Sequence, residues 1–188
     1  MAPTTTTTNI KTEGGNKNTA AAKKDHCCPE FDSAALQKFD EKEITFKNKP
    51  FVKEKSWCFL YMPLNFGGAM TRASTKIEDA NAALPDDEFI MLSDLISPWS
   101  TRIYLGVSKD DVAGAEVVHM SGTFLTKVFE GPYKDFDKCI KAMKAHVKKE
   151  KGESFDVESC DLYAHYATCP RCAKKFGKNY TVLLIKVD

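Results

Sequence analysis

The chain has 188 residues, 43% apolar and 28% charged, with 27 basic against 26 acidic side chains and a formal charge of +1. That length suits one compact domain, and so even a balance of charge argues against nucleic acid as the main partner, because little counterion release would follow. No apolar run approaches the roughly 20 residues that span a bilayer, and the opening Met-Ala-Pro with five threonines lacks the apolar core of a secretory signal, so a cytoplasmic protein with no membrane partner is expected.

Residues 1–25 are Thr, Asn, Lys, Gly and Ala with Ile10 as the one apolar β-branched side chain, a composition that cannot offset its ordering entropy and reads as a disordered low-complexity tail. Residues 26–55 form an N-terminal arm, mixed and extended, with a short strand at 43–46. A strand follows at 57–62 (Trp-Cys-Phe-Leu-Tyr-Met), and Gly67-Gly68 opens a helix. Met70, Ala73, Ile77, Ala80 and Leu84 recur at spacings of three and four and give that helix one apolar stripe. Residues 89–92 and 102–107 read as two strands around Ser97-Pro98-Trp99-Ser100. The same order then recurs. Strand segments at 117–120 and 123–129 lead through Gly131-Pro132 into a helix striped by Phe136, Ile140, Met143 and Val147, and residues 161–168 and 180–187 form two further strands.

Strand-helix-strand-strand thus occurs twice, at 56–112 and 116–188. One unit buries a single face of its helix and sheet, whereas two can share a core. The expected fold is α+β: one pseudo-symmetric domain over 26–188, whose two β-α-β-β repeats form one antiparallel sheet with both helices packed on one face.

A tandem unit of this size, with Gly-Thr-Phe-Leu-Thr-Lys-Val-Phe-Glu-Gly-Pro-Tyr at 122–133 before the second helix, resembles the GyrI-like small-molecule-binding superfamily. His26-Cys27-Cys28-Pro29, Phe51-Val52-Lys53, Pro63-Leu64-Asn65-Phe66-Gly67 and Cys169-Pro170-Arg171-Cys172 resemble a hydrolase-like subgroup of it. The resemblance implies a concave site between the repeats, lined by aromatic rings and one or more acids, that takes flat or cationic organic molecules. Many members carry a Glu two positions before a Tyr in the strand after the second helix; here Asp161-Leu162-Tyr163 stands there, with one methylene less of reach.

Read as chemistry, Tyr61, Phe66, Trp99, Tyr104, Tyr133, Tyr163 and Tyr166 fall on strands or at strand ends, where rings can stack on a planar ligand, although strand aromatics also build cores. Glu130, Asp161 and Asp94 are the candidate acids: a desolvated carboxylate beside rings could pair with a cation or act as a general base on water. Glu130 could equally be a surface or capping residue. His165, between two tyrosines, is a candidate proton shuttle or a structural histidine. No Gly-x-Ser-x-Gly elbow, phosphate loop or dinucleotide fingerprint occurs, so no nucleotide or organic cofactor is expected.

Seven cysteines in a reducing compartment read as metal ligands, redox thiols or small buried hydrophobes. Cys169 and Cys172 have the spacing of a zinc knuckle, and Cys27 and Cys28 are the obvious second pair, with His26 able to replace either. Structural zinc competes with a redox site and with plain thiols. The functional expectation is a small-molecule-binding protein with a small organic ligand, hydrolysing a hydrophobic or electrophilic compound. The alternatives are a non-enzymatic sequestering or sensor protein, and a zinc-stabilised interaction module.

Overall fold

The computed structural model describes residues 36–59, 62–85, 88–94, 99–167, 173–175, 177 and 179–188. In chain order these form β1 (Lys42–Phe59), β2 (Met62–Pro63), α1 (Phe66–Asp79), β3 (Met91–Asp94), β4 (Ser100–Gly106), β5 (Glu116–Glu130), α2 (Phe136–Lys151), β6 (Leu162–Tyr166) and β7 (Tyr180–Lys186), with short 3-10 turns at Tyr133–Asp135 and Val157–Ser159.

The strands are antiparallel and follow the order β1-β4-β3-β6-β7-β5, with β5 pairing back onto β1. The expected single sheet with helices on one face is therefore corrected: the ladder closes on itself as a six-stranded barrel, and β2 is a short flap on β1. The physical cause is the length of β1. Residues read as an arm plus a separate strand are one strand of 18 residues, whose first part pairs with β5 and whose second part pairs with β4. Over Phe51, Val52 and Lys53 both edges are hydrogen-bonded at once: Val52 lies opposite Leu105 on one side and Val117 on the other. Closure removes two exposed edges that would otherwise invite pairing with other chains.

A β-bulge between Phe46 and Lys49 bends β1 enough for this double duty. Asn48 occupies the left-handed region there (φ 51), which Asn tolerates better than most residues, and its N–H donates to Ser121 Oγ at 2.9 Å.

Alternation along each strand sends one side chain into the barrel and the next outward. Phe46, Phe51, Leu92, Tyr104, Phe124, Val182 and Leu184 fill the interior. On the outside, Val52, Met91, Ile103 and Leu105 receive Ala69, Ala73 and Ile77 of α1, while Leu125, Ala164, Leu183 and Ile185 receive Met143 and Val147 of α2. This accounts for the unbroken apolar run of Val182 to Ile185: β7 is covered on both faces, so alternation disappears from its sequence. Lys76 Nζ donates to Glu54 Oε1 at 2.7 Å and ties α1 to β1. No helix of the described residues is long and apolar enough to cross a membrane.

Candidate functional site

Where β3 ends and β4 and β6 begin, the inner face of the barrel changes character. Deeper in, Phe51, Leu92, Phe124 and Leu184 are closed to solvent, whereas Tyr163 is partly exposed and the Arg102 side chain is 41% exposed. Alternation aims Asp94, Arg102, Tyr104 and Tyr163 to this same inner side: Asp94 follows Leu92 by two, Arg102 precedes Tyr104 by two, and Asp94 is the register partner of Tyr163.

Asp94, at 2% exposure, is the fully buried acid among the described residues. Its Oδ1 accepts the main-chain N–H of Arg102 at 2.9 Å, and its Oδ2 accepts the Arg102 Nε–H and, at 3.4 Å, the Tyr104 hydroxyl. Charge-assisted bonds of this kind satisfy a carboxylate that would otherwise be costly to bury. Beside it the Thr101 hydroxyl donates to the Asp94 carbonyl oxygen at 2.7 Å and meets Ser93 Oγ at 2.7 Å, which holds the two strand ends together. The Tyr163 ring stands edge-on to both Tyr104 and Phe124, with centroids 6.1 Å apart in each case.

The electrostatics follow from that packing. Burial, reinforced by the Asp161 charge, pushes the Tyr163 hydroxyl up to about 12. Burial and then the Asp94 charge raise Tyr104. The bond to Asp94 raises Arg102 further above its already high ordinary value. Near neutral pH this end of the barrel therefore offers two phenol O–H groups and a permanent guanidinium, oriented by a buried carboxylate, with exposed Asp161 alongside.

Other residues singled out from sequence lie elsewhere. Glu130 is exposed at the far end of β5, opposite Tyr180, whereas the Asp161 carbonyl oxygen bonds Lys186 N. Six residues of β7 separate those two partners, about 20 Å at strand rise, so Glu130 and Asp161 do not share one site. His165 is buried among Phe39 and Phe89, and its Nδ1 lies 2.9 Å from the Met91 carbonyl oxygen, which holds the ring in place. Burial also lowers its proton affinity, so it is neutral near pH 7. Tyr166 points outward, where Phe66 and Phe136, the first residues of α1 and α2, contact it at 6.2 and 6.4 Å. Trp99 is exposed beside Ser100. Tyr61, His26, Cys27, Cys28, Cys169 and Cys172 lie outside the described residues, as does the side chain of Tyr133. Among the described residues no group of three or more His, Cys, Asp or Glu is placed to hold a metal. Burial raises the thiols of Cys139 and Cys160, which argues against their use as thiolates.

Sequence reasoning missed Arg102. Its signal was available: a cation two residues before Tyr104 in a strand otherwise apolar on that face is either solvated or paired with an acid, and Asp94 was already a candidate.

A closed antiparallel barrel with helices outside and a polar, aromatic end inside defines a class of small-ligand scaffold. The chain belongs to the bacterial hydrolase family, whose model matches residues 18–187. Among solved structures, its fold is similar to that of a hydrolase encoded by lin2189 from Listeria innocua, at 12% identity and a TM-score of 0.53, covering 83% of this chain and 96% of that one. SAV2435 bound to tetraphenylphosphonium is a more distant neighbour, at 13% identity and a TM-score of 0.45, covering 78% of this chain and 93% of that one. No curated protein matches the sequence.

Proposed function

We propose that the protein binds a small hydrophobic organic compound at the open end of the barrel and hydrolyses it there. The observation that carries this reading is the meeting of Tyr104 and Tyr163 with the buried Asp94–Arg102 pair, on a stretch of the inner face where the Arg102 side chain reaches solvent. Family membership supplies the reaction class, and the GyrI-like resemblance supports a small organic ligand. Tyr163 and Tyr104 would hold the apolar body of the substrate. Asp161, whose charge is felt by both phenols, would accept a proton from water as the water oxygen attacks the carbonyl carbon of an ester. Collapse of the tetrahedral adduct then breaks the acyl–oxygen bond, and the proton is returned to the departing alkoxide or phenoxide.

The test is turnover of a panel of activated aromatic esters by the purified full chain. Loss of turnover in Asp161→Asn, with unchanged thermal unfolding, supports the assignment; full activity in that variant refutes it. Saturable binding without turnover would favour the sequestering reading. One observation leans that way: His165 is engaged by main chain, and Cys139 and Cys160 have raised thiols, so none of these three is primed for nucleophilic work.

A further inference from the structure

Flat or cationic organic molecules are the ligands that the superfamily resemblance implies, yet the charged group that reaches solvent from the inner face at this end of the barrel is the Arg102 guanidinium, with Asp161 exposed alongside. Asp94 is buried and engaged: its oxygens take two N–H groups of Arg102 and face the Tyr104 hydroxyl. Those bonds use the main-chain N–H and Nε of Arg102. No described residue bonds its two terminal nitrogens, which carry four more N–H groups at the exposed head of the side chain. The hydroxyl of Tyr163 adds a neighbouring donor on the same inner face.

The rim is apolar. Trp57, Leu64 and Trp99 are the large hydrophobic side chains with substantial exposure among the described residues, and they gather at one place. Trp57 is the register partner of Ser100, next to Trp99, and its carbonyl accepts the Leu64 N–H at 2.8 Å. Alternation puts Trp57 on the same side of β1 as Lys55, the partner of Arg102, so Trp57 and Arg102 are diagonal neighbours on the inner face.

We propose that the substrate is an aromatic or otherwise apolar compound bearing a carboxylate, with Arg102 as the specificity-determining residue that takes the carboxylate and Trp57 as a contact for the apolar body. This rests on the reading of the open end as the ligand site. Asp94 is a positioning residue: by holding Nε it turns the remaining guanidinium edge toward incoming ligand, the geometry that suits a bidentate carboxylate. Asp161 opposes an anion only through a solvent-exposed charge, which water and salt screen, whereas contact with Arg102 is direct.

The chain has two tryptophans, Trp57 and Trp99, and both lie at this rim, so intrinsic fluorescence reports occupancy. The probes are 1-naphthoate, its neutral amide and naphthylmethylammonium, titrated into the full-length protein at low and moderate salt. The expected result is that naphthoate binds roughly tenfold or more tighter than the amide, with the ammonium weakest and the preference shrinking as salt rises. Arg102→Lys, which keeps the charge but loses the fork, should retain folding and lose most of the carboxylate preference while the amide is unaffected. Equal binding of the three probes, or an unchanged preference in Arg102→Lys, overturns the carboxylate assignment and leaves the ligand site standing. Absence of saturable binding by any probe overturns the ligand-site reading itself, and this inference with it.

Discussion

The Asp94–Arg102 pair makes an asymmetric prediction, because its two members sit on opposite sides of the solvent boundary. In Asp94→Ala the guanidinium loses its partner, but with 41% of its side chain exposed it recovers water. The remaining cost is the hydrogen bonds at Arg102 N and Tyr104, about 2 kcal/mol after allowance for screening. In Arg102→Leu the stranded group is instead a carboxylate with 2% exposure. It keeps the main-chain N–H of position 102 and the Tyr104 hydroxyl, which puts the cost near the lower end of the usual range for breaking a buried pair, about 3–4 kcal/mol. The double variant should cost less than the two losses added, with a coupling of about 2 kcal/mol. Urea unfolding of all four proteins measures this, through the midpoint at unchanged slope. A chain of this size loses about 2–4 °C of melting temperature per kcal/mol, so the order is visible by heat as well. If Asp94→Ala proves the costlier single change, or if the two losses simply add, Asp94 is not the buried, dependent member of the pair and the account of the site fails.

Tyr163, pushed up to about 12 by burial, binds its proton more tightly folded than unfolded, so its contribution is complete below about pH 10 and is lost between about pH 10 and 12. Alkaline ultraviolet titration should show a late-ionising phenol that Tyr163→Phe removes; an unchanged titration counts against the packing. His165 has the opposite sign. Burial depresses it, so its contribution is present above about pH 6.5 and is lost as pH falls through the lower, folded value. His165→Phe should flatten the acid side of a stability profile measured by urea unfolding, and an unaltered slope would show that another group sets it. Structural zinc at Cys27, Cys28, Cys169 and Cys172 remains a proposal from sequence spacing. Elemental analysis of the purified chain should find one zinc that Cys169→Ser loses, and a metal-free, stable wild-type protein rejects it.

How legible the site was in the sequence can be judged from particular residues. Tyr104, Tyr163, Asp161 and Asp94 were picked out by residue type and by their places at strand ends, and the structure puts the four at one end of the barrel. Phe66 and Tyr166 were picked out on the same grounds and lie on the outside, between the helices. The difference is one of parity: Tyr163 and Tyr166 are three residues apart on β6, so alternation sends them to opposite faces. Residue type cannot decide that without knowing which face is inside. Glu130 was chosen because it abuts Gly131, and that turn is real, with a Gly131 φ of 153°, but it lies at the other end of the strands.

Local pattern carried both helices and most of the strands, but split β1 into an arm and a separate strand. The apolar stripes of Ala73 and Ile77 and of Met143 and Val147 require one buried helix face each, and β-branched and aromatic runs between Gly and Pro require strands, whatever surrounds them. What tertiary structure alone decided was closure. An 18-residue strand, bent at Asn48, finds β5 on one edge and β4 on the other. Hydrogen-bond partners more than 60 residues apart leave no trace in local periodicity, because each strand's pattern records only that its faces are covered, not by what. The Asp94–Arg102 pair is local, formed between the neighbouring strands β3 and β4, whereas Tyr163 reaches Asp94 only through the long-range pairing of β3 with β6.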